Sequence, residues 1–149
     1  MGVTVKVSSV DHGLTALRKR CEAKAQSIRV GIDEAAGENS DGKISIADLA
    51  AIHEFGLGVP QRPFITSWAE EHYERNKKDL TKVGQALVKG KIASQEQGLL
   101  MLAEKYAGEI QAKMSEGIPP PLAEGTRRAG GTPLIDTGTL RSSIAGKVE

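Results

Sequence analysis

Three stretches of this chain have residue types and spacings that could carry chemistry. The first is "PLIDTGTLRSS", Pro133 to Ser143, where Asp136, Thr137 and Gly138 follow two aliphatics. One Asp-Thr-Gly per chain is enough for an aspartic protease that assembles its carboxylate dyad across a homodimer. Such a subunit is nearly all strand and needs several more strands after the aspartate, whereas 13 residues follow Asp136. The plainer expectation is that Asp136 or Thr137 caps a helical turn around Leu140 to Ile144 by accepting from free backbone N–H groups.

The second stretch, "GENSDGKISIAD" (37–48), overlays a calcium-binding loop, with Asn39 and Asp41 as oxygen ligands and Gly42 at the sharp turn. Gly37 stands where the first carboxylate belongs, and Asp48 replaces the bidentate glutamate. Helix capping by Ser45 and Asp48 accounts for the same residues without a metal. The third is Arg127–Arg128, which could meet phosphates or lie solvated on an arm. His12, His53 and His72 are scattered, without the spacing of a zinc site. Cys21 sits among Arg18, Lys19, Arg20 and Lys24, which would favour a thiolate, but it reads better as a small helix residue in a reducing compartment. No loop has the glycine pattern of a phosphate or dinucleotide cradle. The expectation is a protein with no catalytic residue, metal or cofactor.

The elements that would position these residues follow from periodicity and punctuation. Val3, Val5 and Val7 alternate as a strand, and Leu14, Leu17, Cys21 and Ala25 recur at helical spacing. Ile28, Val30 and Ile32 alternate as a second strand before a polar loop. Ser45 as cap, Asp48 three residues on, and an Ile44–Leu49 staple open a short helix that Gly56 and Gly58 stop after Phe55.

Pro60 and Pro63 hold the next connection extended, and Pro63 can occupy the first turn of a long helix. Phe64, Trp68, Leu80, Val83 and Leu87 mark its buried stripe, which ends near Lys89. Ser94 and Gln97 form a capping box for a second long helix with a stripe of Leu99, Leu102, Ala103, Tyr106, Ile110 and Met114. From Gly117 to Gly138 the prolines and glycines lack any hydrophobic period, predicting an extended arm, and "LRSSIAGKVE" closes with a helical turn and a strand.

At 149 residues this makes one domain: strand-helix-strand-short helix over 1–62, helical hairpin over 63–116, arm over 117–138, terminal turn and strand over 139–149. The expected fold class is α+β, a small mainly antiparallel sheet packed against the two long helices. Aromatics at 3% leave an aliphatic core and argue against large base-stacking platforms; a net charge of +1 argues against a broad DNA-binding face. No apolar run approaches a bilayer span and "MGVTVKVSS" lacks a signal-peptide core, so a cytoplasmic product is expected.

Taken together, "ADLAAIHEFGLGVPQRPFI" (47–65) and "IPPPLAEGTRRAGGTPLIDTGTLRSSI" (118–144) resemble the neck or tail-completion family of long-tailed bacteriophages, the minor tail protein Z-like group. The matching positions are Ala50, His53, Glu54, Phe55, Gly56, Arg62, Pro63 and Phe64, then Leu134, Asp136, Thr137, Gly138, Leu140, Arg141, Ser143 and Ile144. The two motifs cover about a third of the chain, and the hairpin between them has no residue-by-residue match. The resemblance implies a structural virion protein that forms a hexameric ring at the head-proximal end of the tail. Its implied partners are the tail terminator, the head's connector and, transiently and without sequence preference, the passing DNA. It places the protein in the virion, and in the host cytoplasm during assembly.

On that reading the ring contacts draw on Glu54, Phe55, Gly56, Arg62, Pro63, Phe64, Pro119, Pro120, Pro121, Leu134, Asp136, Thr137, Gly138, Leu140 and Arg141, while Arg127 and Arg128 could face DNA. Arg141 could pair with a carboxylate in its own or the adjacent subunit. Another phage head-tail adaptor or minor tail interaction protein is the alternative reading, with the protease-like and calcium-binding readings behind it.

Overall fold

In a computed structural model, residues 11–22, 26–32, 36–38, 44–121 and 138–149 are described. The elements in chain order are α1 (Leu14–Cys21), β1 (Ile28–Ile32), α2 (Ile46–Phe55), α3 (Ile65–Val88), α4 (Gln95–Glu116), α5 (Thr139–Ser142) and β2 (Ile144–Val148). The expected strand at Val3–Val7 lies outside the described residues.

The fold is a small α+β arrangement in which a two-stranded antiparallel sheet lies against a pair of long helices. β1 pairs with β2 from Ile28↔Val148 to Ile32↔Ile144. Mutual Ser27–Glu149 backbone hydrogen bonds of 2.8 and 3.0 Å extend the ladder by one pair. The sheet packs on α4 so closely that a Cβ on Gly146 would lie 2.3 Å from the carbonyl oxygen of Ala103. Only glycine permits this backbone-to-backbone approach. Gln111 fixes the crossing by donating from Nε2 to the Ile144 carbonyl at 3.0 Å.

The hairpin forms where its local signals place it. Ser94 accepts from the Gln97 N–H at 3.1 Å, and the Gln97 side chain accepts from the Ala93 N–H at 2.9 Å, so the box closes one residue early. α3 ends in a Schellman arrangement: Gly90, at φ 69°, donates to Leu87 O at 3.1 Å, and Lys91 donates to Ala86 O at 2.8 Å. At the hairpin's packed seam Gly98 leaves no room for a side chain, since a Cβ there would lie 2.6 Å from Val83. The core gathers Ile46, Ala50, Phe64, Trp68, Tyr106, Ala107, Ile110, Met114, Ile118, Leu140 and Ile144.

Three details differ from the periodicity. Leu80 is 46% exposed, and the neighbouring buried position is Asp79. Lys82 and Lys105 close on the Asp79 carboxylate at 2.9 and 2.7 Å, which lets a charged side chain occupy the seam and turns Leu80 outward. Pro63 is not in the first turn of α3, which begins at Ile65 with Phe64 as its N-cap residue. α1 forms, but none of its residues is buried, because "RKR" in its last turn keeps the short helix at the surface. No helix among the described residues is long and apolar enough to cross a membrane.

Candidate functional site

The site is the corner between α2 and α3, where the first motif lies and the start of the second meets it. α2 opens on Ser45, whose Oγ accepts from the Asp48 N–H at 3.0 Å and donates to the Asp48 carboxylate at 2.7 Å. That mutual cap uses the two residues that also overlaid the calcium loop. Ile46, Ala50 and Glu54 recur every four residues, so they share the buried face of α2, and Glu54 ends that face.

The helix stops at Gly56, which has φ 71° and whose Cβ would meet Gln61 at 2.9 Å; a left-handed turn and a close approach both require glycine. The chain then returns across its own helix end. Leu57 N–H donates to Ile52 O at 2.9 Å, Arg62 N–H to His53 O at 2.8 Å, and Gln61 Nε2 to Glu54 O at 3.1 Å. The last carbonyls of α2 are thus answered from within the loop, as a helix end requires.

Glu54 is 6% exposed, and its carboxylate accepts from three successive backbone N–H groups at the start of α3. Oε2 takes Phe64 at 2.9 Å and Ile65 at 3.1 Å, and Oε1 takes Thr66 at 2.7 Å. A buried anion normally carries a large desolvation cost; here the charge sits on the positive end of a 24-residue helix and satisfies its free donors. One side chain therefore does the work that a Ser or Asp cap would do, and fixes the angle between two helices as well.

Arg62 is the complementary group. It is 4% exposed and donates only to carbonyls: Nε to Pro120 O at 2.9 Å, Nη2 to Pro121 O at 3.3 Å and Nη1 to Pro60 O at 3.4 Å. The guanidinium fork grips the first residues of the proline-rich arm, where Ile118 is buried in the core and the Pro119–Pro120 peptide is cis. Proline carbonyls suit this role, because a proline offers an acceptor and no N–H. His53, beside Glu54 in the last turn of α2, has its Nδ1 buried and unpartnered. Burial, with the Arg62 charge behind it, holds its pKa below the ordinary histidine value.

The corner leaves one surface outside. Phe55, the last residue of α2, is 66% exposed, and Leu57 and Val59, on the loop that follows and is pinned at both ends, are 60% and 36% exposed. Pro119, Pro120 and Pro121 are exposed beside it, linked to the same loop through Arg62.

Several residues of the second motif are also placed. Gly138, at φ 75°, is the N-cap residue of α5, Leu140 is buried in the core at 5% exposure, and Ile144 begins β2. Arg141 donates from Nη1 to Ser115 Oγ at 2.8 Å. Leu134, Asp136, Thr137, Arg127 and Arg128 lie outside the described residues, as do Asn39, Asp41 and Gly42. Glu54, Arg62, Phe64 and Leu140 are thus internal supports within the chain, whereas Phe55 and Pro119 to Pro121 face outward. His72 stacks on Trp68 at 5.5 Å between centroids and bonds the Trp68 carbonyl at 2.9 Å. Among the described residues no group of three His, Cys, Asp or Glu side chains could hold a metal ion.

The sequence motif contains Glu54 and Arg62 but does not show their partners. A signal for Glu54 was present: Phe64 opens α3 without a capping side chain, so the cap had to come from elsewhere. Gln61 and Pro60 were missed, since their contacts depend on the loop folding back.

The chain matches no family model, no curated protein and no solved structure.

Proposed function

We propose that the protein is a structural ring subunit of the neck or tail-completion type, placed at the head-proximal end of a bacteriophage tail, with no catalytic role. The observation that carries this reading is the α2–α3 corner. The residues that resemble the family's first motif form one buried assembly, in which Glu54 and Arg62 hold an apolar loop outward and anchor the root of a proline-rich arm. A rigid exposed apolar loop loses little entropy when a neighbour covers it, as a closed ring of heterologous contacts requires. The chemistry of the motif is then architectural: internal groups set the shape, and Phe55, Leu57, Val59 and Pro119 to Pro121 meet the adjacent copy. The tail terminator and the head's connector are the expected partners above and below the ring.

The test is the mass of the full chain in solution and on purified tails, compared with a Phe55→Asp/Leu57→Asp variant. Both substituted side chains are exposed, so the variant should keep its circular dichroism and melting temperature. Loss of the ring, or of head-to-tail joining, with the fold intact supports the reading. A variant that assembles and completes particles as the parent does overturns it.

A further inference from the structure

The molecule is nearly neutral, yet its positive charge is unevenly placed. Arg20, at the end of α1, donates from Nη1 to the Leu87 carbonyl at the end of α3, at 3.2 Å. The same nitrogen lies 2.9 Å from where a Gly90 Cβ would be. This docking brings the last turn of α1 to the hairpin turn, and so gathers Lys19, Arg20, Lys89 and Lys91 at one end of the molecule. The three lysines are exposed.

The end of α3 does not need those ammonium groups. Its last carbonyls are already answered by the Lys89, Gly90 and Lys91 backbone N–H groups and by Arg20. Among the described residues, none of the ion pairs involves Lys19, Arg20, Lys89 or Lys91. The carboxylates nearest in the chain are engaged differently: Glu22 pairs with Arg18, and Glu96 lies in the first turn of α4, where it favours that helix's own dipole.

We propose that this end of the hairpin, centred on Lys19, Lys89 and Lys91, is a weak, non-specific contact surface for the phosphate backbone of duplex DNA. Lysine ammonium groups are point charges that recognise phosphate and carry no bidentate reading of base edges. Residues 11–22 and 85–94 contain no Phe, Tyr or Trp and a single histidine, His12, so the run of stacking rings that a single-strand binder uses is missing from both segments. Membrane-surface binding calls for a broad apolar face beside the charges, whereas the exposed large apolar side chains of these segments are Leu14, at the opposite end of α1, and Val88 beside Lys89, which make no such face. The proposal deepens the ring reading and rests on it for the source of the duplex. A few phosphate contacts per subunit would let DNA be held at low salt and slide at physiological salt.

The experiment uses the full chain and fluorescence anisotropy of a labelled random-sequence duplex of about 30 base pairs over a range of salt. A Lys19→Gln/Lys89→Gln/Lys91→Gln variant is compared with a charge-matched Lys77→Gln/Lys78→Gln/Lys147→Gln variant. Binding by the parent should fall steeply with salt, and the patch variant should lower the log–log slope by about 2 to 3 while the matched variant leaves it nearly unchanged. A parent that binds no duplex at low salt, equal losses in both variants, or tighter binding to anionic vesicles than to duplex would each overturn the proposal. Circular dichroism checks both variants, and Lys89→Gln/Lys91→Gln serves if the triple substitution unfolds. Masses from the same samples separate the two readings: a monomer that binds through the patch counts against the ring alone, and a ring indifferent to DNA counts against the patch alone.

Discussion

The α2–α3 corner and the α3–α4 seam both bury charge, and they do so by different means. At the corner each ion bonds backbone groups: Glu54 takes three N–H donors, and Arg62 takes three carbonyls. Along the seam the ions bond each other. Asp79 pairs with Lys82 and Lys105, and Glu109 accepts from Arg75 and from Trp68 Nε1. The seam also leaves Arg75 Nε, Asn76 Oδ1 and Tyr106 OH buried without partners. Bonding to backbone dictates where the chain goes, since the partner cannot rotate away. Pairing side chains selects a register and leaves room for other solutions.

The comparison can be broken most directly at Glu54. Glu54→Ala strands three helix-start donors, and urea unfolding should show a loss of about 3 kcal/mol; Glu54→Gln should lose about half of that. A loss under about 1 kcal/mol for the alanine variant would mean that water replaces the carboxylate and that the corner is no more demanding than the seam. Arg62→Ala should cost about 2 kcal/mol, with faster proteolysis around Pro119 to Pro121. Arg62→Lys should recover little, because one ammonium does not span carbonyls gripped by a planar fork.

Effects along the seam should be smaller. The hydrogen bonds from Lys105, then Lys82, hold the Asp79 pKa at about 2, against an ordinary 3.8. The sign follows from a folded value below the unfolded one: this contribution is complete above about pH 4 and is lost as pH falls through about 2. Asp79→Asn should therefore cost about 1 kcal/mol at neutral pH, discounted because both lysines reach solvent, and nothing well below pH 2. Asp79→Leu would sharpen the contrast, since an apolar side chain should be tolerated in the seam, whereas Glu54→Leu should not be tolerated at the corner. Lys113→Ala, which removes the outlying pair with Glu71, should cost less than about 0.5 kcal/mol and vanish into the baseline in high salt.

What the sequence made legible was local. Ser45, Gly56 and Ser94 announced helix ends because caps and stops act over a few residues, and the stripe from Leu99 to Met114 announced α4 because one face repeats. The final strand was legible after "LRSS", but its partner was not: β1 and β2 lie near opposite ends of the chain, and nothing local specifies pairing. Asp79 replaced Leu80 in the seam because its lysine partner on α4 lies 26 positions away. Glu54 was legible as part of a motif and illegible as a cap, since its donors come 10 to 12 residues later. Gly146 gave no sign of its contact with Ala103, which exists only once strand and helix cross.

Glu54 also bears on the order in which the molecule assembles. In the last turn of α2 a carboxylate faces that helix's negative end and opposes it by about 0.3–1 kcal/mol; at the start of α3 the same charge is favourable. A helix of ten residues has little stability of its own. Alone, α2 therefore carries a misplaced charge, and the misplacement ends when α3 brings its N–H groups. A peptide spanning residues 44–62 should stay unfolded by circular dichroism, and in the intact chain the two helices should gain protection from hydrogen exchange together. The corner is a point of cooperativity, where a residue unfavourable to the helix that contains it makes that helix depend on the next.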